Sequence, residues 1–304
     1  MTGAQTGQGS GAGSASDGGV HAEVWADGPA GPADSADSAD SADPGATAVF
    51  VHGSQSWGSD EVGGFAAQRP LASRFRLIVI DRRGYGQSPD PAESPDAAGG
   101  ERRGGHHADA DDVIGLLGPG AHLVGHSYGA VVALLAAARR PDLIRSLTLI
   151  EPVAYALADQ DPVVALALAR QQAGVASMPE DLSPAHFLQA SYATAGLPVP
   201  AATPQRLRAA ATAMRELLYA QAVFSLRPVA TAAWPKLVIS GDWITAPAQY
   251  RAYSGDAMMA CARVVAGKIG ARLLRVAGAS HWPHAQQPRI VNDALSDLWG
   301  HARG

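Results

Sequence analysis

Gly125-His126-Ser127-Tyr128-Gly129 is the pentapeptide in this chain whose residue types and spacing are best suited to covalent chemistry. Apolar residues lead into it from His122, and a run of valines, leucines and alanines follows it to Ala138. That order reads as a strand, a sharp turn and a helix, the layout of a nucleophile elbow. The turn strains the backbone at the serine, so the positions two before and two after it must be small for strand and helix to approach, and both are glycine. Ser127 then stands clear at the carboxyl end of the strand, and the amide of Tyr128 at the helix start can point at a developing oxyanion. A serine hydroxyl is a poor nucleophile at neutral pH unless a base takes its proton, so a histidine must come within hydrogen-bond reach.

The elements that must position these groups are legible as patterns. Residues 20–25 alternate apolar and polar side chains at period two and predict a first strand. Continuous apolar runs at 47–51, 76–80, 122–124, 146–150, 237–240 and 273–276 predict strands covered on both faces. Helical patterns lie between them at 60–72, 108–117, 130–139 and 289–299. Apolar strands alternating with helices give an α/β fold with a mostly parallel sheet wrapped on both sides, and such sheets bind ligands beyond the carboxyl ends of their strands. One segment, 152–233, breaks the alternation with three helical stretches at 161–172, 183–194 and 203–224, the last two opening with Ser183-Pro184 and Thr203-Pro204. A cap residue followed by proline starts a helix. An all-helical insert at this point reads as a lid.

With 304 residues and 47% hydrophobic content, the chain can bury a full core. A net charge of −5, with both signs interspersed, offers no basic face for nucleic acid or for an anionic membrane surface. No apolar run approaches the roughly 20 residues that span a bilayer. Residues 1–19 have neither the basic start nor the apolar centre of a secretory signal, so cytoplasmic residence is expected, with these residues as a disordered tail. The Ala-Asp-Ser repeats within 28–46 have no apolar face and read as a solvated loop. The single Cys261 rules out an intrachain disulfide, and its apolar neighbours suit a buried structural thiol.

Taken together and in order, four motifs resemble the α/β-hydrolase superfamily over residues 20 to 300. They are His52-Gly53, Asp81-Arg82-Arg83-Gly84-Tyr85-Gly86-Gln87-Ser88, the Gly125–Gly129 elbow, and Gly278-Ala279-Ser280-His281-Trp282-Pro283-His284 with Pro288 beyond. The chain is similar to the capped members, which include small-molecule esterases, carbon–carbon bond hydrolases and cofactor-free haloperoxidases. Epoxide hydrolases and haloalkane dehalogenases share the layout with an aspartate nucleophile, and Ser127 disfavours both. The resemblance implies the α/β-hydrolase fold, with core segments 20–151 and 234–304 and a helical cap, 152–233, inserted after the strand that ends at Ile150.

By family position, His281 is the base, with His284 the competitor that packs behind it, and the second oxyanion donor is the amide of Ser54. His126 is turned away by its place in the elbow, His52 is expected to bond within its own loop, and His106-His107 and residues 81–88 are given no chemical role. The acid departs from the commoner pattern. Family members usually carry glycine, two residues, then aspartate after the strand at 237, whereas here Gly241 is followed by Asp242, Trp243 and Ile244. Some relatives instead take a glutamate directly after the preceding strand, where this chain has Glu151. A carboxylate closing an apolar strand is costly without a partner, which favours Glu151, with Asp242 the alternative.

What the resemblance implies is a serine hydrolase acting without metal or organic cofactor on a small, largely apolar ester, thioester, lactone or diketone. Cofactor-free perhydrolysis or haloperoxidation would use the same triad. A non-hydrolytic small-molecule receptor is the alternative from another class. Met178, Phe187, Tyr192, Met214, Leu218 and Tyr219 are the apolar insert residues available to line a pocket.

Overall fold

The computed structural model describes residues 19–27, 46–91, 105–218 and 221–301. The expectations for the tail, and for the repeats within 28–46 apart from Ala46, fall outside the described residues. Among the described residues, seven strands form one sheet: β1 (Ala22–Trp25), β2 (Thr47–Val51), β3 (Arg76–Ile80), β4 (Ala121–His126), β5 (Ile144–Ile150), β6 (Lys236–Gly241) and β7 (Arg272–Val276). Their spatial order is β1-β3-β2-β4-β5-β6-β7. β1 runs antiparallel to β3, and every other pair is parallel.

Helices cover both faces, which is why the parallel strands are apolar without alternation. Val49, Val51, Leu123 and Leu149 pack toward α1 (His106–Leu116) and α2 (Tyr128–Arg139). On the other face Ala48, Phe50, Val79 and Ile239 meet a C-terminal helix that carries Trp299, whose ring lies 6.1 Å from Phe50 and 4.7 Å from Phe75.

Among the described residues between β5 and β6 lie a 3-10 turn, Tyr155–Leu157, and four α-helices: α3 (Pro162–Ala176), α4 (Pro184–Ala195), α5 (Pro204–Leu217) and the short α6 (Arg227–Thr231). The predicted starts hold: the Ser183 and Thr203 side chains accept from the amides of His186 and Arg206, and proline occupies each first turn. α5 stops at Leu217, several residues short of the predicted 224. It is bound to the sheet domain along its length. Arg206 makes two bonds to Asp60 (2.6 and 2.7 Å), Thr212 donates to the Gly84 carbonyl (2.8 Å), and Glu216 reaches Arg82 (2.6 Å).

One expected helix does not form, and one that the sequence reading lacks does. Residues 60–72 form turns and then a 3-10 segment, Ala66–Ser73. Pro70 lacks the N–H an α-helix needs, and a Cβ at Gly64 would sit 2.2 Å from the Trp57 carbonyl oxygen. After β6, the unpredicted α7 (Ala248–Tyr250) runs through a π-turn, Arg251–Gly255, into α8 (Asp256–Ile269), which packs Cys261 at full burial against the sheet. Burial lifts that thiol to about 12, in keeping with a structural role. The chain closes with α9 (Pro283–Gln286) and α10 (Pro288–His301). No helix among the described residues is long and apolar enough to cross a membrane.

Register decides what meets at the carboxyl edge. Val51 lies beside Gly125, His126 beside Ile150, Ile150 beside Ile239, and Gly241 beside Val276. The loops that follow β2, β4, β5, β6 and β7 therefore emerge together, and each carries one of the predicted site residues.

Candidate active site

Ser127 adopts φ 55° and ψ −117° between β4 and α2. This is a conformation L-residues rarely hold, and it survives because the surroundings over-determine it. The Ser127 amide donates to the Ile150 carbonyl (2.9 Å), tying the turn to the next strand. A Cβ at Gly125 would stand 2.3 Å from the Gly129 carbonyl oxygen, and one at Gly129 would stand 2.3 Å from that of Val51. No side chain fits at either position without backbone movement.

The loop after β7 brings His281 Nε2 to 3.0 Å from Ser127 Oγ. Both residues are buried. Burial, reinforced by the His284 ring, holds the His281 imidazole down to about 3, so it rests neutral. His284 packs between Phe65 (5.0 Å) and His126 (4.4 Å) and makes no bond to the serine, as expected. His126 points away from Ser127, its Nε2 bonding the His281 backbone carbonyl (2.8 Å), which pins the histidine loop.

Ser54, after β2, lines the same cavity as Ser127 and Tyr128. Its peptide is held from behind. The Gly53 carbonyl accepts from His52 Nδ1 (2.6 Å) and Arg82 Nη2 (3.2 Å), while His52 Nε2 accepts the Arg82 amide (2.9 Å). A trans peptide is planar, so a carbonyl anchored toward Arg82 turns the Ser54 N–H the opposite way. His52 thus bonds within its loop as predicted, and its two bonds fix the proton on Nδ1.

Residues 81–88, expected to be structural only, contribute more. The buried Arg82 guanidinium bonds Asp109 (2.8 Å) and Glu216 (2.6 Å), and lies 4.3 Å from the Tyr128 ring centroid. Glu216 also accepts from Tyr85 OH (2.7 Å) and from the Ser54 hydroxyl. Asp109 is pushed up to about 6, chiefly by burial, with Arg82 opposing and Glu216 adding to the rise.

The two candidate acids have different surroundings. Glu151 directly follows β5 at zero exposure, with φ at 46°. Its Oε1 accepts from Ser240 Oγ (2.7 Å), the Gly241 amide (2.6 Å) and Trp243 Nε1 (3.3 Å). Its Oε2 and the Nδ1 of His281 are both buried without a hydrogen-bond partner. Burial raises the carboxyl to about 7 against these donors and Arg275. Asp242 instead closes a loop, accepting from the amides of Ile244 (3.1 Å) and Gly278 (3.2 Å). Neither carboxylate bonds His281.

The cavity above Ser127 has a volume near 360 Å³. Of the apolar insert residues available to line it, Met178 does. Phe187 and Tyr192 instead join the α4–α5 contact with Leu188 and Ala210, and Tyr219 lies outside the described residues. His106 was given no chemical role. It opens α1, stacks on the Tyr128 ring (4.0 Å, 14°) and faces the cavity. Glu216, Arg170 and Tyr253 line it too, from elements whose sequences carry no motif.

A serine on a strained elbow, paired with a histidine at the carboxyl edge of a mostly parallel sheet, is the architecture of a hydrolase. The chain belongs to the alpha/beta hydrolase family, whose model matches residues 48–294. It is similar to 2-(acetamidomethylene)succinate hydrolase of Mesorhizobium japonicum, with 38% identity over 89 residues that cover 28% of this chain and 29% of that enzyme. The match therefore spans less than a third of the relative's length. Among solved structures it resembles 2-hydroxy-6-oxo-6-phenylhexa-2,4-dienoate hydrolase from Rhodococcus sp., at TM-score 0.59 and 18% identity over 92% of this chain and 94% of the other. An N-acyl homoserine lactonase superposes at TM-score 0.58 and 20% identity over 94% and 96% of the two chains. At these identities the likeness is one of fold.

Proposed function

We propose that this hydrolase cleaves a small ester, thioester, lactone or diketone by acyl transfer to Ser127. The observation that carries the reading is the 3.0 Å approach of His281 Nε2 to a serine hydroxyl held at φ 55°. Ser127 Oγ attacks the carbonyl while His281 Nε2 takes its proton, and the amides of Ser54 and Tyr128 donate to the oxyanion. The imidazolium then returns the proton to the leaving group, and water releases the acyl group by the same steps in reverse roles. Glu151 is the orienting acid. Three donors anchor its Oε1, and Oε2 is left for the N–H of His281 Nδ1. The helices between β5 and β6 act as the cap that excludes water.

A fluorophosphonate probe tests this directly. It is expected to attach to Ser127, and Ser127→Ala to abolish labelling. An adduct mapped to another residue, or none under conditions that label a control serine hydrolase, would reject the reading.

Glu216 connects the cap to the oxyanion loop, because the same carboxylate holds the Ser54 hydroxyl and the Arg82 guanidinium that anchors Gly53. Glu216→Gln removes a counter-charge from a buried arginine, at a cost of about 3 kcal/mol. Loosening the donor loop is expected to lower kcat by about tenfold. Urea melts and steady-state kinetics check both, and a stability loss with unaltered kcat would show that Glu216 holds the cap alone.

A further inference from the structure

From the polar groups that its cavity leaves unpartnered, we infer that the enzyme acts on acyl compounds carrying a second, anionic carboxylate, which Arg170 receives at the cavity mouth. This deepens the acyl-transfer reading and rests on it.

The cavity has two distinguishable ends. Ser54, His106, Ser127 and Tyr128 form the inner one. Ala167, Arg170 and Tyr253 line both the cavity and an adjoining surface groove of about 270 Å³ that none of those inner residues reaches, so they mark the outer end. Each end carries a polar side chain with no protein partner. His106 is more than nine-tenths buried and stacks on Tyr128, yet its ring nitrogens bond no described residue and are not sealed from the cavity. Burial, with Arg82 adding to it, keeps that imidazole neutral, near 3, so the inner end can give or take a hydrogen bond without adding charge.

Arg170 is the only charged residue in the 15 residues of α3, whose sequence is otherwise apolar but for two glutamines. Among the described residues no acid pairs with it. Of the acids that line the cavity and the groove, Glu216 bonds Arg82 and Asp256 lies 3.7 Å from Arg251. A guanidinium presents a planar fork that matches a carboxylate with two parallel hydrogen bonds. Between the ends the wall is largely apolar, with Val153, Val175 and Met258 suited to a short methylene chain. The ligand this arrangement fits has an acyl carbon at Ser127 and a carboxylate at the other end. Its hydrolysis releases a dicarboxylate whose new carboxyl lies by His106.

Two measurements test it. The first compares p-nitrophenyl hydrogen adipate with p-nitrophenyl methyl adipate, its neutral counterpart. The wild-type enzyme is expected to favour the charged ester at least tenfold in kcat/KM. Arg170→Gln should collapse that ratio at least fivefold, mainly through KM, and Arg170→Lys should restore part of it. Arg69→Gln, which removes an exposed arginine outside the cavity and the groove, should leave the ratio as it is. A wild-type ratio near one, or a ratio that Arg170→Gln does not change, overturns the proposal. The second measures adipate binding to the Ser127→Ala protein by calorimetry, which requires no turnover. Adding Arg170→Gln should weaken binding about tenfold, and equal affinity in the two proteins counts against the subsite. If fluorophosphonate labelling fails while adipate still binds through Arg170, the acyl-transfer reading falls and the carboxylate site stands. If labelling succeeds and adipate ignores Arg170, only the subsite is lost.

Discussion

Ser127→Ala, His281→Ala and the double variant are each expected to lower kcat by about the same factor, roughly a millionfold. The proposed nucleophile and base are the two ends of one 3.0 Å hydrogen bond. Without the imidazole the hydroxyl keeps its proton, and without the hydroxyl the imidazole has nothing to activate. Residues that act as a unit are grossly non-additive, so the second deletion should cost little once the first is made. The residual rate should still exceed that in water, because the proposed oxyanion donors, the Ser54 and Tyr128 amides, stay in place. Steady-state rates on an activated ester, normalised to folded protein by circular dichroism, are the measurement. Losses that multiply in the double variant would mean that the two side chains serve separate steps.

Glu151→Gln is expected to reduce kcat by about 10³ to 10⁴, or roughly 4 to 5 kcal/mol in the barrier, while Asp242→Asn costs less than about tenfold. Burial makes an imidazolium at His281 expensive, so attack needs a nearby anion. The glutamine keeps the acceptor that Ser240, Gly241 and Trp243 use, but turns an NH₂ toward Nδ1 and favours the tautomer that cannot take the serine proton. If Asp242→Asn is the crippling change, the acid lies after β6. If neither substitution matters, His281 is oriented by another group.

Glu151 also gives this prediction a pH signature. Its carboxyl is raised from 4.5 to about 7 in the folded protein, so between those values the folded state binds more protons than the unfolded state. Stability from this group is therefore full below about 4.5, falls by about 3 kcal/mol as pH rises to 7, and is flat above. Activity should run the other way, rising through an apparent pKa near 7 that belongs to the Glu151–His281 pair. Glu151→Gln should remove both limbs and, at pH 8, leave a protein at least as stable as the wild type. Loss of folding at pH 8 in that variant would instead make Glu151 a structural carboxylate.

The sequence by itself determined the sheet and the elbow, because each is written in local order, whereas His281 was placed by resemblance to the family and meets Ser127 across 154 residues. Continuous apolar runs mark strands buried on both faces, and glycines at 125 and 129 admit a turn that nothing larger permits. Ser183-Pro184 and Thr203-Pro204 start helices wherever they stand. α8 was equally local, with buried residues at 257, 258, 261, 262, 265, 266 and 269 repeating at helical spacing, and it was missed rather than hidden. Tertiary structure alone decided the rest of the site. Ser54 meets Glu216 across 162 residues, and Arg82 meets the same carboxylate across 134. His106 reaches the cavity only because α1 packs on α2. The surroundings of Glu151 and Asp242 are set by where β6 lies beside β5 and by the turn that follows it. A desolvated charge is stabilised by whatever donors packing brings to it, and no periodicity along the chain records which distant element will supply them.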